Sequence, residues 1–408
     1  MINRKPLISL SLAMLILGGC VSHTVRVVDM TPPRQADTML AEPLLLDVGV
    51  AIFDSNVPDD FDERIEQIIM PEVRRAESQY IPYFLKNVLQ STGNWGAVRV
   101  IPRPSAAVDL VVSGKILHSD GEYMAVQATV TDASGRQWFS KEYSALASKY
   151  AYGPDMPASI DAFQAIYKKL ANDMLNYREG LTDQQIKRLR TIAEMKFAQG
   201  FSNDAFADHV MQNKNGVYEL NRLPADQDPM LERVRKIRER EYLFIDTLDE
   251  YYDNFYRQMY PSYQSWRRAS YDQAITYKRL KAEAKSRTIS GTLAIVGGVA
   301  AIYESSDAYV DASGLVGVVS GATLITSAIQ KRNEAEQMAE RLRELGSAAE
   351  AELVPTTIEL ENQSARLEGN VDQQYQQLRQ ILRRIYFEDL NLSIPDNEIE
   401  ADSNAVEG

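Results

Sequence analysis

The chain has 408 residues and a formal net charge of −13. So acidic a surface is expected to repel nucleic acid and bare anionic lipid. A single cysteine excludes an internal disulfide, and the length exceeds one ordinary core, so two or three domains are expected.

The first twenty residues carry the three parts of an export signal. Arg4 and Lys5 make a basic start, Leu7 to Leu17 is uncharged and mostly apolar, and the small residues Gly18 and Gly19 precede Cys20. The apolar run is too short for a membrane span, which takes about 20 residues. Leu17-Gly18-Gly19-Cys20 resembles the bacterial lipobox. The resemblance implies cleavage between Gly19 and Cys20, acylation of Cys20 with chains such as palmitate, and an N-terminal membrane anchor. An ordinary signal peptide with a fortuitous cysteine is the alternative. Several acyl chains on one residue are enough for stable anchoring. Val21 and Ser22 follow the cysteine, where enteric bacteria place Asp to retain a lipoprotein in the inner membrane. The same resemblance therefore implies the outer membrane, with the body in the periplasm. Loss of residues 1–19 removes two cations and no acid, so the body is more acidic still.

Residues 20–42 read as the lipidated cysteine and a flexible tether, since Thr31-Pro32-Pro33-Arg34 has no periodicity. A first domain is expected over 43–178. Leu44 to Asp54 suits a buried strand. Pro71 to Leu89 suits a helix with Val73, Ala76, Tyr80, Phe84 and Val88 on one face, kinked or broken at Pro82. Strands are expected at Ala97–Ile101, Asp109–Leu117, Tyr123–Thr131 and Gln137–Tyr143, with a hairpin turn at Asp132 to Gly135. A helix over Ala158–Tyr177 closes the unit. The runs DVGVAIFD, WGAVRVIP and DLVVSGKILHSDG, in this element order, resemble the small α/β domain of the TolB amino-terminal part, the curli-export lipoprotein and the lipoprotein activators of peptidoglycan synthases. That resemblance covers about a third of the chain. It implies binding of proteins or assembly into rings, without chemistry at the domain itself.

Residues 181–285 read as helical throughout. Phe197 to Phe206 resembles half of a tetratricopeptide-type helix pair; a plain helical hairpin is the simpler reading, since solenoids need several units. Over 232–260, Phe244, Leu248, Tyr251, Tyr252, Phe255 and Met259 fall at helical spacing. This dense tyrosine fits either a protein interface or a seam inside a helical bundle.

Residues 286–332 form a glycine-rich apolar pair, expected to be a helical hairpin. Thr288–Tyr303 holds Gly291, Gly297 and Gly298; Ala312–Gln330 holds Gly314, Gly317 and Gly321; both runs are uncharged. Glycine costs about 1 kcal/mol in an exposed helix, so close helix packing is a natural reason for it. The runs would reach roughly 24 and 28 Å as helices, against about 30 Å of hydrocarbon. Three readings remain open: a buried hairpin, a membrane-inserting or pore-lining hairpin, and an oligomerisation seam in water. Basic residues flank the pair, which disfavours insertion from outside into an inner membrane.

Residues 333–389 should form a charged helix ended by Pro355, a β-hairpin around Asn362-Gln363, and a helix with Tyr375, Leu378, Ile381, Leu382 and Ile385 as its stripe. Residues 390–408 are an acidic tail without a core pattern. The fold class is therefore α+β: a small mixed α/β domain, then a long, mostly helical region, then a short hairpin and helix.

No nucleophile elbow, phosphate loop or dinucleotide fingerprint is present. His23, His118 and His209 are scattered, and a zinc site wants three or four converging ligands. His118 and Asp120 read as a surface pair at a turn. Neither a metal nor another cofactor is expected. The reading is a non-enzymatic, outer-membrane-anchored accessory protein of envelope assembly, working through periplasmic or outer-membrane proteins, with a homo-oligomer among the expected assemblies. The alternatives are an export or pore subunit using 288–330 and a cell-wall hydrolase with a carboxylate pair.

Overall fold

A computed structural model describes residues 31–60, 63–64, 69, 71–153, 160–225, 227–286, 356–360, 363–367 and 371–389. Gly18, Gly19, Cys20, His23, the six glycines from Gly291 to Gly321, the helix before Pro355 and the acidic tail lie outside them.

The fold is α+β, and the first domain has the expected element order. Strand β1 (Val48–Ala51) leads through helix α1 (Pro71–Ser91) to β2 (Val98–Ile101). Strands β3 (Leu110–Ser119), β4 (Tyr123–Asp132) and β5 (Gln137–Leu146) follow. The sheet order is β2-β1-β3-β4-β5, with β1 parallel to both neighbours and β3-β4-β5 antiparallel. One face is apolar, with Val48, Val50, Leu110, Val112, Ile116, Val126 and Val130 buried. The other face places Ser113, Thr129 and Ser140 in register, then Lys115, Gln127 and Glu142. At the β1–β2 half the opposite face is covered too, where Ala51, Ile101 and Val111 pack in a second apolar cluster, so β1 is buried on both sides.

Helix α1 packs Val73, Ala76, Tyr80 and Phe84 into that apolar face. It runs unbroken through Pro82, so the break that proline suggests does not occur; burial of Tyr80, Ile81 and Leu85 around it holds the helix together. Helix α2 (Gln164–Glu179) adds Ile166, Tyr167, Leu170 and Met174 over β5. Helix α3 (Asp183–Phe201) starts at a capping box made by Thr182 and Gln185.

The region 181–285 is mostly helical, as expected, but a short β-hairpin interrupts it. After α3 comes one helical turn, Asn203–Phe206, and then a hairpin of β6 (Val210–Gln212) and β7 (Tyr218–Leu220). Asn213 Oδ1 accepts from the amides of Asn215 and Val217, and Gly216 takes φ +76°, which a helix cannot use. The tetratricopeptide-like second helix is thus reduced to a single turn.

Helix α4 (Pro229–Ser286) has 58 residues, about 87 Å at 1.5 Å each. Asp228 Oδ1 caps it through the Met230 amide at 2.8 Å, and Pro229 takes its first position. Its first half buries Leu231, Val234, Ile237, Phe244, Ile245 and Leu248 against β2, α3 and the last helix. Its second half buries Met259, Tyr263 and Trp266 against α1 and α2. The described side chains of the tyrosine-dense stretch therefore face inward: Tyr256 stacks on Tyr80 at 4.9 Å and Tyr263 is fully buried. The hairpin β8 (Thr356–Leu360) and β9 (Gln363–Leu367) leads to α5 (Val371–Asp389), whose Tyr375, Leu378 and Leu382 are buried beside α4.

The amino-terminal stretch is fastened from Thr31 onward. The Arg34 amide donates to Asn172 Oδ1, its guanidinium donates to Asn176 Oδ1 at 2.7 Å and Glu179 Oε1 at 2.6 Å, and the Ala36 amide donates to the Thr92 carbonyl. Part of the expected tether, Thr31 to Ala36, is therefore pinned to the body, and residues 21–30 lie outside the described residues.

Candidate functional site

The described residues bring charged groups together at the two opposite ends of the sheet. Where β1 and β3 begin, Asp47 and Asp109 enter from the strand starts. Lys187, Arg190, Thr191 and Glu194 come from α3, and Arg238 and Tyr242 from α4. They line a cavity of about 290 Å³.

Asp109 sits at its floor, 2 % exposed. Its Oδ2 accepts from the Asp47 amide at 2.9 Å. Arg190 Nε lies 3.9 Å from Oδ2, and Arg238 Nη2 lies 4.0 Å from Oδ1. Both guanidiniums are committed elsewhere. Arg190 donates to the carbonyl and carboxylate of Glu42, each at 2.7 Å. Arg238 donates twice to the Ala107 carbonyl, which Tyr242 also reaches. Glu194 is held by Arg235 at 2.6 Å. Burial pushes the Asp109 carboxyl up to about 6 against the pull of Arg238 and the Asp47 amide.

An acid near 6 can move protons at neutral pH. Arg190 and Arg238, however, are engaged at the strand-start side through Glu42 and Ala107, and Glu194 joins α3 to α4 through Arg235. Open α/β sheets bind ligands outside the carboxyl ends of their strands, and this cavity lies at the opposite ends.

At the β3–β4 turn the chain buries a second cluster. Arg267 of α4 and Asp161 ahead of α2 are both fully buried and meet at 2.5 Å. Tyr80 donates to the same Asp161 oxygen at 3.1 Å, and the Phe163 amide donates to the other at 2.8 Å. The Arg267 guanidinium lies over the rings of Tyr263 (4.1 Å), Phe163 (5.0 Å) and Tyr80 (5.4 Å). Desolvation works against its charge, but Asp161 and the tyrosines hold its pKa well above the ordinary arginine value. Beside it, Glu77 Oε1 accepts from Ser119 at 2.6 Å and Tyr263 at 2.5 Å, with Arg74 Nε 3.7 Å from Oε2.

Gly121 in the adjoining turn has φ +81°, and a Cβ there would meet the Arg267 carbonyl and the Tyr271 amide. This backbone approach lets α4 lie directly on the turn. His118 pairs with Asp120 at 2.9 Å in the same region, holding the Asp120 carboxyl below the usual range despite burial. The pair forms at the turn as expected, but it is not a surface pair, because the Asp120 carboxylate is buried. His209 bonds the Arg222 carbonyl at 3.0 Å in the β6–β7 region, far from it in the fold.

Neither cluster was visible in the sequence. Asp161 and Arg267 stand 106 positions apart, and no local motif links them. Among the described residues no group of three or more His, Cys, Asp or Glu is arranged to hold a metal ion, and no helix is long and apolar enough to cross a membrane. No family model, curated protein or solved structure matches the chain.

Proposed function

We propose that this chain is an acyl-anchored protein of the outer membrane, with its body in the periplasm, and that it serves envelope assembly through protein contacts, not catalysis. The observation that carries the reading is Leu17-Gly18-Gly19-Cys20 closing an export signal, with Val21 and Ser22 behind it. The body suits a scaffolding role. Helix α4 packs on β2 of the sheet, on α1, on α3 and on α5, so one rod joins these elements. The charged groups of the cavity serve the same joints.

A second reading rests on the two uncharged, glycine-bearing runs 288–303 and 312–330, which fit an export or pore subunit that places 288–330 in lipid.

Two measurements test these readings. Fatty-acid labelling in cells should mark the wild-type chain and not Cys20→Ala; continued labelling of the variant refutes the anchor. A body of residues 21–408, exported behind a cleavable non-lipoprotein signal, should stay soluble after a carbonate wash if 288–330 is packed in protein. Retention in outer membranes would favour the pore reading.

A further inference from the structure

The cavity at the strand starts is walled by two helix faces and floored by two strand ends. Lys187, Arg190, Thr191 and Glu194 follow at steps of three and four, so α3 turns one face into it. Arg238 and Tyr242 stand one turn apart on α4, and Asp47 and Asp109 come from the sheet. At about 290 Å³ the space is at the small end of the roughly 300–1,000 Å³ that ligand pockets span. It lies away from the crevice where open sheets take nucleotides, so any ligand must suit these helix walls.

Internal bonding uses part of the charge. Arg190 is engaged by Glu42, and Glu194 by Arg235. What is left over decides what the space can hold. On the acid side, Asp47 Oδ1 accepts from the Ala97 amide at 2.8 Å, and among the described residues Asp47 makes no ion pair. Asp109 gives Oδ2 to the Asp47 amide, while its Oδ1 has only Arg238 Nη2 at 4.0 Å, beyond hydrogen-bond range. Each carboxylate thus keeps one oxygen without a donor. On the basic side, Lys187 is exposed at the rim and has no ion-pair partner among the described residues. Arg238 donates Nε and Nη2 to the Ala107 carbonyl and keeps Nη1. Thr191 donates its hydroxyl to the Lys187 carbonyl at 3.1 Å and keeps its acceptor lone pairs.

A ligand that answers both sets carries an ammonium and a carboxylate a few bonds apart. An ammonium alone would be opposed by Lys187 and Arg238, and an anion alone by Asp47 and Asp109. We propose that this cavity binds a free amino acid, its ammonium on Asp47 and Asp109 at the floor and its carboxylate on Lys187 and the open Arg238 nitrogen. Burial that pushes the Asp109 carboxyl up to about 6 marks a charge short of a partner. A ligand ammonium at about 3 Å supplies that partner. The ammonium and the proton compete for the same oxygen, so affinity falls from pH 7.5 to pH 5. The assignment stands whether or not Cys20 is acylated.

Equilibrium dialysis of the full-length chain in detergent reads the site, with radiolabelled glycine and each enantiomer of alanine as probes. These are the smallest amino acids, so the space left for a side chain does not exclude them. Retention is expected at pH 7.5 and less at pH 5. Ethylamine and propionate each keep one charged group of alanine and should bind about tenfold more weakly or worse. Alanine should lose a similar factor on Lys187→Ala and on Asp109→Asn. Lys187 is exposed, and Asp109→Asn keeps an acceptor for the Asp47 amide, so circular dichroism melts should find both variants folded. Failure to retain any of the three probes at concentrations on the order of 10 mM would overturn the assignment. So would undiminished binding by both folded variants, or ethylamine or propionate binding as tightly as alanine.

Discussion

Asp109 is a buried carboxyl whose neighbours do not fully compensate its charge. Its pKa in the fold, about 6, lies above the ordinary 3.8. The folded state therefore binds the proton more tightly than the unfolded chain. Stability should rise as pH falls from about 6 toward 4, and the ionised form at neutral pH carries a penalty on the order of 3 kcal/mol. Asp109→Asn keeps an acceptor for the Asp47 amide and removes the charge. Thermal unfolding should show it at least as stable as wild type at pH 7.5, with a smaller gain on going to pH 5. A variant that melts well below wild type at both pH values would mean that Arg190 and Arg238 need the charge. The buried pair at the other end behaves oppositely. Arg267→Met strands the Asp161 carboxylate and should cost about 3–5 kcal/mol, whereas adding Asp161→Asn should recover much of that loss. Denaturant melts of the single and double variants decide it.

Regular elements were readable in the sequence wherever one period dominated. The strands from Val98 to Leu146 and the stripe Val73, Ala76, Tyr80, Phe84 belong to that set, because alternation and helical spacing each specify a buried face. Of the kink or break that Pro82 suggests, the break is absent, since local packing outweighed one missing hydrogen bond. The β6–β7 hairpin was missed because its three-residue strands are too short to show alternation. The partners of Asp109 and Arg267 were unreadable for another reason: they depend on how α4 crosses the sheet. Gly121 tests that crossing directly. Gly121→Val places a β-branched residue at positive φ and pushes a side chain into the α4 backbone, a cost on the order of 3 kcal/mol. Limited proteolysis should then cut within 256–275 at sites resistant in the wild type. Unchanged protection would show that α4 does not need the turn.

At the scale of the molecule, the two apolar clusters are not independent. Ala51, Val100 and Ile101 of the sheet sit in one and Val48, Val50 and Val98 in the other, while α4 contributes to both. Cooperative units follow shared contacts, so the body should unfold in a single calorimetric transition. Two resolved transitions would mean that the sheet domain stands without α4.

The same sharing has a consequence for how the protein is made. A chain emerges amino end first, so the five strands, complete at Leu146, can assemble roughly 85 residues before Leu231 begins the part of α4 that covers the β2 side. Val100, Ile101 and Tyr83, buried in the finished protein, meet water throughout that interval. If the chain is exported as proposed, such a nascent body should be a client of a holding chaperone. A truncation ending at residue 228 should accumulate as aggregate or degradation fragments, and the complete chain should be most sensitive to chaperone depletion before residues 231–248 have been delivered.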